Sequence, residues 1–419
     1  MASSGVRLPY NAIGGVNVVL RAAFYSSAQD SRRFFWLDEG RRKLGRLFLQ
    51  RGLTGPASYP SPLVGGTLRV LGIESSCDDS CASIVTSDRR ILSNVRLGQN
   101  HVHKPFNGIH PYHAIHAHQI NLPIAIGRAL HQAGLKITQL DAIAYTRGPG
   151  IAGCLAVGAT AAKSLAAATG LPLVAVHHMV PTNPFIQENS AGPRIPLLKL
   201  VASSSEFKIL ANTADKPLGL AIDKISRALE VPWPEGSSSS PGSALEKFVE
   251  GSSEEKEEPM QLPLALRTGP SVFSFCGLQT ATIRRLEALE APASVAHRRA
   301  IGKAFFLAAF GQIERKLRYW LHHLSAVHQL DMSGVVISGG VGSNQILRAR
   351  IQDLLTSVNP GLKLHIPPVA FCTDNAAMVA WTGIEKFRRG KLSAMDVPVA
   401  AKWSIEDAED ERAGIITSS

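Results

Sequence analysis

Acidic residues are scarce in this chain, and the first of them is Asp30. Against 44 Lys and Arg stand 33 Asp and Glu, which leaves a net charge of +11 and a pI of about 9.6. That balance draws a protein toward polyanions, nucleic acid first. Cysteine is also sparse. The five residues, Cys77, Cys81, Cys154, Cys276 and Cys372, are widely spaced and form no CxxC. This argues against a disulfide framework and for a reducing compartment. No uninterrupted apolar run has the length needed to cross a bilayer, so a soluble protein with no membrane partner is expected. There is no HExxH, so a zincin-type protease lacks its signature, and no solenoid repeat.

What remains is a chain of 419 residues, 45% hydrophobic and 18% charged, which is enough for two domains or one two-lobed domain with a sizeable core. Residues 1–66 are rich in Arg and Ser, which predicts an organelle transit peptide and disordered leader. "GPASYPSPLVGG" marks the join to the folded part. Beyond it, "LRVLGIESSCDDSCASIVTS" predicts a strand, a polar hairpin over Ser75–Ser80 and a second strand. "LPLVAVHH" predicts another strand. "AIAYTRGPGIAGCLAVGATAAKSLAAATG" and "GVVISGGVGSNQILRARIQDLL" each predict a strand, a Gly-rich turn and a helix. "AIGKAFFLAAFGQIERKLRYWLHHL" has the spacing of a long amphipathic helix. Strands alternating with helices imply an α/β fold with a largely parallel sheet. Low-complexity, charged stretches predict an exposed loop over 235–262.

Several residues suggest chemistry. Gly339 and Gly340 in "SGGVGSN" let a backbone approach a phosphate or nucleotide closely, and the following helix start offers N–H donors. Asn344 can hydrogen-bond a base or sugar. Glu74, Asp78 and Asp79 cluster around one hairpin, which suits a metal, a bound water or an attacking amine, or simply a solvated turn. Asp374 precedes a helix and is explained equally well as an N-cap. His110, His113, His116 and His118 have spacings that permit a metal pair and more commonly mark a polar surface.

Seven segments, "VLGIESSCDDS", "GPGIAGCLAVGATAAKSLA", "VAVHHM", "AIDKISRAL", "FSFCGLQTA", "SGGVGSNQILR" and "CTDNAAMVAW", together resemble the tRNA N6-adenosine threonylcarbamoyltransferases, formerly named O-sialoglycoprotein endopeptidases. With the leader, the resemblance is to the mitochondrial branch. It implies a two-lobed fold like that of actin, Hsp70 and sugar kinases, with a cleft between the lobes. The lobes would span 67–176 and 177–373, a helix over 374–392 would return toward the first, and 393–419 would form a tail. The implied reaction moves a threonylcarbamoyl group from threonylcarbamoyl-AMP, supplied by a separate synthase, to N6 of the adenosine beside the anticodon. The substrates would be mitochondrial tRNAs reading codons that start with A, in the matrix, and AMP leaves. Homodimers are implied, as is one divalent cation per subunit, of the Zn, Fe or Mg class. By position, His178 and Asp374 match metal ligands. Asp223 and Gly236 match positions that hold the adenylate's sugar, Asn344 with Gly339 and Gly340 the nucleotide-binding turn, and Glu74, Asp78 and Asp79 the acidic hairpin near the reacting end.

The chain departs from the family at two neighbouring places. The family's His-His-Met-x-x-His has Thr182 at its last position here, with Pro181 before it. A strand ending in Ser-Gly-Gly-His-Thr is replaced by "IPLLKLVASSSEFKILANTAD", as though the loop and about one strand were deleted. An active enzyme, a catalytically impaired relative that binds nucleotide or tRNA, a gene model missing one piece of the active enzyme, and a kinase-like phosphotransferase on the same fold all stay open at this point.

Overall fold

The computed structural model describes residues 6–7, 16–21, 66–106, 109–179, 196–201, 207–232, 241–251, 260–262, 269–289, 293–327, 332–366 and 376–408. The strands are β1 (Val6–Arg7), β2 (Val16–Arg21), β3 (Arg69–Glu74), β4 (Asp79–Thr86), β5 (Arg90–Gly98), β6 (Ala142–Gly148), β7 (Leu173–His177), β8 (Pro196–Val201), β9 (Phe207–Thr213), β10 (Val272–Phe273), β11 (Met332–Ser338) and β12 (Lys363–His365). The longer helices are α1 (Pro111–Ala133), α2 (Ala152–Thr169), α3 (Leu218–Ala228), α4 (Pro241–Glu250), α5 (Cys276–Glu287), α6 (Val295–Ala326), α7 (Gln345–Val358) and α8 (Ala376–Arg388).

They build two six-stranded sheets. The first has the order β1-β5-β4-β3-β6-β7, the second β10-β9-β8-β2-β11-β12. Both are mixed. In the first, β3, β6 and β7 run parallel while β4 is antiparallel to β3 and β5. The expectation of a largely parallel sheet is corrected by β4, whose short turns from β3 and to β5 permit only antiparallel neighbours. The α/β class stands.

Strands β3, β4, β6 and β7 are buried almost throughout, because helices cover both faces. Leu71, Ile73, Ala82 and Tyr145 pack with Leu122, Ile126, Ala159 and Ala162 of α1 and α2 on one side. Val70, Val85, Ala144 and Val174 pack with Ala380, Trp381 and Ile384 of α8 on the other. The last long helix thus belongs to the first sheet. Among the described residues only α2 is long and apolar enough to cross a membrane, and its Cys154, Leu155, Ala159, Ala162 and Ala166 are buried. The second sheet has a separate core, where Phe273 and Phe275 meet Phe305, Phe306 and Phe310 of α6 and Leu354 and Leu355 of α7.

Residues 393–408, expected as part of a tail, are docked instead. A Cβ at Gly148 would lie 1.8 Å from the Ala400 carbonyl, so only glycine allows this approach. The Ala400 amide donates to the Arg147 carbonyl at 2.9 Å. The buried Arg147 side chain donates from Nε to the Pro398 carbonyl at 2.9 Å, and its guanidinium lies 4.5 Å from the Trp403 ring centre. Ile405 and Ala408 pack with Met179, Phe207 and Val336, so this segment touches residues from both sheets.

A third departure concerns the leader. Val16–Arg21 is an interior strand, parallel to β11 over six pairs from Met332 to Ser338 and antiparallel to β8 over Leu198–Val201. "VNVVLR" is rich in β-branched residues, which suit a strand paired on both edges.

If β2 completes the second sheet, removing residues 1–22 leaves two rows of backbone donors and acceptors unpaired. The truncated protein is expected to melt several degrees lower, a loss of about 2 kcal/mol or more. Deuterium uptake over Met332–Ser338 should rise at the same time. Unchanged melting and protection would show that β2 is dispensable.

Candidate active site

The first group of predicted residues converges where β3 and β7 end. Glu74 closes β3 and is 2% exposed. Its Oε1 accepts the Ser76 amide at 2.6 Å, and its Oε2 accepts the Thr146 hydroxyl from β6. His178 follows β7 directly, and its amide donates to the Gly148 carbonyl at 2.6 Å. Its ring Nδ1 lies 3.1 Å from Glu74 Oε2 and 3.2 Å from Ser76 Oγ. A carboxylate can only accept, so the proton of the contact sits on Nδ1. That leaves Nε2 buried and without a hydrogen-bond partner. Burial pushes the Glu74 carboxyl up, but the charge and hydrogen bond of His178, with Ser76 and Thr146, outweigh it and bring it from 4.5 to about 2.

The hairpin is shorter than expected. Asp79 and Ser80 are already strand, and the turn spans 75–78. Asp78 sits half-buried at its tip. Asp79 is buried with Arg96 Nε 2.8 Å from its Oδ2. Burial and the neighbouring Asp78 charge nevertheless push its carboxyl from 3.8 up to about 7, against the pull of Arg96. The ion pair is real in geometry, yet the Arg96 side chain is 43% exposed, and water weakens its attraction for the buried carboxylate.

The histidine neighbours are otherwise engaged. His177 accepts the Met179 amide on Nδ1 at 2.9 Å and donates from Nε2 to the Trp403 carbonyl at 3.1 Å. His118 is fully buried, with Nδ1 2.8 Å from Ser80 Oγ and Nε2 3.0 Å from the Cys77 carbonyl. Neither ring has a nitrogen left for a cation. His113 stacks on Phe106 at 4.7 Å, His110 meets the same ring tilted at 4.9 Å, and His116 is exposed. Among the described residues, no three His, Cys, Asp or Glu gather as a metal set. His178 still suits one ligand of such a site. Its ring is oriented by a carboxylate on Nδ1, and the buried Nε2 lacks a partner, the arrangement usual for a metal-bound imidazole.

The second group gathers at the end of β11. Gly339 has φ +84°, a conformation glycine adopts freely, and opens the turn Gly340–Ser343. Asn344 accepts the Leu347 amide on Oδ1 at 2.9 Å, so this oxygen caps α7. Helix α3 packs against both this turn and α4, which brings Asp223 nearby. Asp223 Oδ1 is buried without a partner. Burial pushes its carboxyl from 3.8 up to about 7, against Arg227 and the Gly242 amide. A hydroxyl donor from a ligand would satisfy that oxygen. Gly236, Asp374 and Thr182 lie outside the described residues. Both groups occupy carboxyl ends of strands, where α/β sheets hold their ligands.

Sequence reasoning did not single out Ser76, Thr146 or Arg96, which hold Glu74, His178 and Asp79. Ser76 and Thr146 lie in the quoted "ESSCDDS" and "AYTRGPG", so position within a motif was the available signal. Arg96 had none. Asp215 was missed too. It accepts the Ser274 hydroxyl at 2.6 Å and the Phe275 and Cys276 amides at 3.0 and 3.1 Å, fixing "FSFCG" at the start of α5.

The fold and these two groups define a class, an α/β protein with glycine-turn sites at the ends of two mixed sheets. The family model described as tRNA N6-adenosine threonylcarbamoyltransferase matches residues 90–381. A protein of that name from Geobacillus kaustophilus is 35% identical over 334 residues, covering 77% of this chain and 92% of its own. Another from Paracoccus denitrificans is 35% identical over 353 residues, covering 81% and 94%. The chain belongs to the tRNA N6-adenosine threonylcarbamoyltransferase family. Among solved structures, HypF of T. kodakarensis overlaps with a TM-score of 0.48 at 13% identity, covering 78% of this chain and 48% of that one. That overlap is too low to carry an argument.

The raised Asp79 carboxyl gives a signed expectation. The folded state holds a proton there that the unfolded state releases above about pH 4. The stabilisation from that proton is full below this pH and is lost as pH rises through about 7. Asp79→Asn should therefore stabilise the protein by about 1–2 kcal/mol at pH 8 and be near neutral at pH 5. Urea melts at the two pH values check this. A loss of stability at pH 8 would mean that the Arg96 pairing outweighs burial.

Proposed function

We propose that this protein transfers the threonylcarbamoyl group of threonylcarbamoyl-AMP to N6 of the adenosine beside the anticodon in mitochondrial tRNAs reading codons that start with A. The observation that carries the reading is His178, oriented by Glu74 with a buried Nε2 left without a partner, set beside the acidic hairpin in a chain of this family.

In this reaction the N6 amine attacks the carbamoyl carbon, the bond to the phosphate oxygen breaks, N6 loses a proton and AMP leaves. An adenine amine is a weak nucleophile, so catalysis rests on positioning and on polarising the mixed anhydride. We assign His178 and Asp374 as ligands of one divalent cation, which would stabilise the departing phosphate. Glu74 holds the His178 ring. Asp78 and Asp79 face the reacting end, and Asp79, its carboxyl pushed up to about 7 by burial and the Asp78 charge, can donate a hydrogen bond below that pH. Asp223 and Gly236 take the ribose, and the turn at Gly339, Gly340 and Asn344 takes the nucleotide through its backbone. The cleft of a two-lobed fold would hold these groups face to face.

The mitochondrial matrix, a homodimer, a separate synthase and no membrane attachment complete the proposal. A processing cut would have to fall before Val16 to keep β2. A second reading is a catalytically impaired relative that still binds nucleotide or tRNA. Thr182 at a ligand position favours it, as do the internal hydrogen bonds that commit His177 and His118.

The purified protein, mixed with threonylcarbamoyl-AMP, a divalent cation and a mitochondrial tRNA, should form threonylcarbamoyladenosine detectable by mass spectrometry of the digested RNA. Binding of both substrates without product would support the second reading. Glu74→Gln replaces the carboxylate that orients His178, and it should weaken cation binding about 10–100-fold in calorimetric titration. Equal affinity in wild type and variant would remove Glu74 from the metal argument.

A further inference from the structure

We propose that the outer face of α6, over its C-terminal half, is an RNA-contact surface in which a base stacks on Tyr319 and backbone phosphates meet Arg315 and Arg318. The partner class rests on the tRNA reading above, but the surface is distinct from the residues assigned to transfer.

Arg315, Arg318, Tyr319 and His322 follow three- and four-residue spacing, so one helix face presents all four. All four are exposed, while Lys316, Leu317 and Leu321 between them are buried. A single exposed aromatic is ordinary. Tyr319, however, is 45% exposed and anchored. Its ring lies parallel to His323 at 5.5 Å and 12°, and Trp320 stands nearly perpendicular to both, at 87° and 83°. Trp320 is in turn tied down by its Nε1 donating to the Pro270 carbonyl at 3.2 Å. A platform held this way loses little freedom when a base settles on it.

Charge favours a polyanion. The one acid in this stretch, Glu314, is bound by Arg350, whose Nη2 lies 2.9 Å from Oε2. Asp353 on α7 is exposed and is the nearest acid in sequence to that pair. Among the described residues Arg315 and Arg318 have no carboxylate within ion-pair distance. The C-terminal end of a helix is the negative end of its dipole, so attraction for phosphate comes from these guanidinium groups. Arginine beside an aromatic face is the pairing that single-stranded and loop RNA favours, phosphate for hold and ring for stacking.

The test uses the full chain and a fluorescein-labelled anticodon stem-loop RNA, with anisotropy measured across a salt series. Arg315→Ala with Arg318→Ala should weaken binding at least about 10-fold near 0.1 M salt and flatten the log–log salt slope by about 1–2. Tyr319→Ala should weaken binding about 5-fold or more, and Tyr319→Phe should restore it. Thermal melts of the arginine variant should be unchanged, and the Tyr319→Phe protein, which keeps the ring contacts with Trp320 and His323, should melt with wild type. Unchanged RNA affinity and slope in these variants would overturn the proposal. So would a Tyr319→Ala protein that binds RNA normally but loses binding to polyglutamate, the probe for an acidic protein partner. If the variants lose RNA while wild type binds it but forms no modified adenosine, this surface stands and the transferase reading fails. If transfer proceeds and the variants bind normally, the reverse holds.

Discussion

A buried carboxylate facing a buried imidazole organises the first half of this protein. Glu74 ends one strand and His178 follows another of the same sheet, and the carboxylate is not tolerable there alone, since an uncompensated buried charge costs several kcal/mol. Together they impose order on their surroundings. Thr146 and the Ser76 amide complete the carboxylate, Gly148 receives the His178 amide, and Gly148 must be glycine because the docked segment at Ala400 lies against it. A single contact thereby links β3, β6, β7 and the 393–408 segment.

Much of this was legible in the sequence because it depends on local chemistry. The strand–glycine-turn–helix units at "TRGPGIAG" and "SGGVGSN" appear where periodicity and glycine placement put them, and Glu74 and His178 are among the residues that motif order singled out. Other features depend on residues far apart in the chain and left no local trace. Asn344 spends its side-chain oxygen on a helix cap, which no motif distinguishes from nucleotide contact. Strand β5 alternates exposed and buried positions next to the two-residue β1, a weak pattern beside the uniformly buried β4. The docking of 393–408 relies on Trp403 meeting Arg147, two residues that nothing in the sequence pairs.

The adjacent histidines show why spacing alone misleads. Residues next to one another at a strand end point to opposite sides. His177 turns toward Trp403 and is consumed by backbone partners, while His178 turns toward Glu74. A similar separation holds on α1, where His118, locked between Ser80 and Cys77, is two residues and so more than half a turn from the exposed His116. A count of imidazoles overstates the ligands available, and the hydrogen-bond inventory corrects it.

The position of β2 has a kinetic consequence. One sheet partner, β8, lies in the middle of the chain and the other, β11, more than 300 residues beyond β2, so neither edge of β2 is paired by a local contact. Contacts of such long sequence separation close slowly, because the loop entropy is lost before the pairing is gained. During that interval the "VNVVLR" segment is an unpaired, charge-poor strand available to other molecules. Folding around β2 is therefore a matter of closing long loops, and a shorter connection to either partner would speed it.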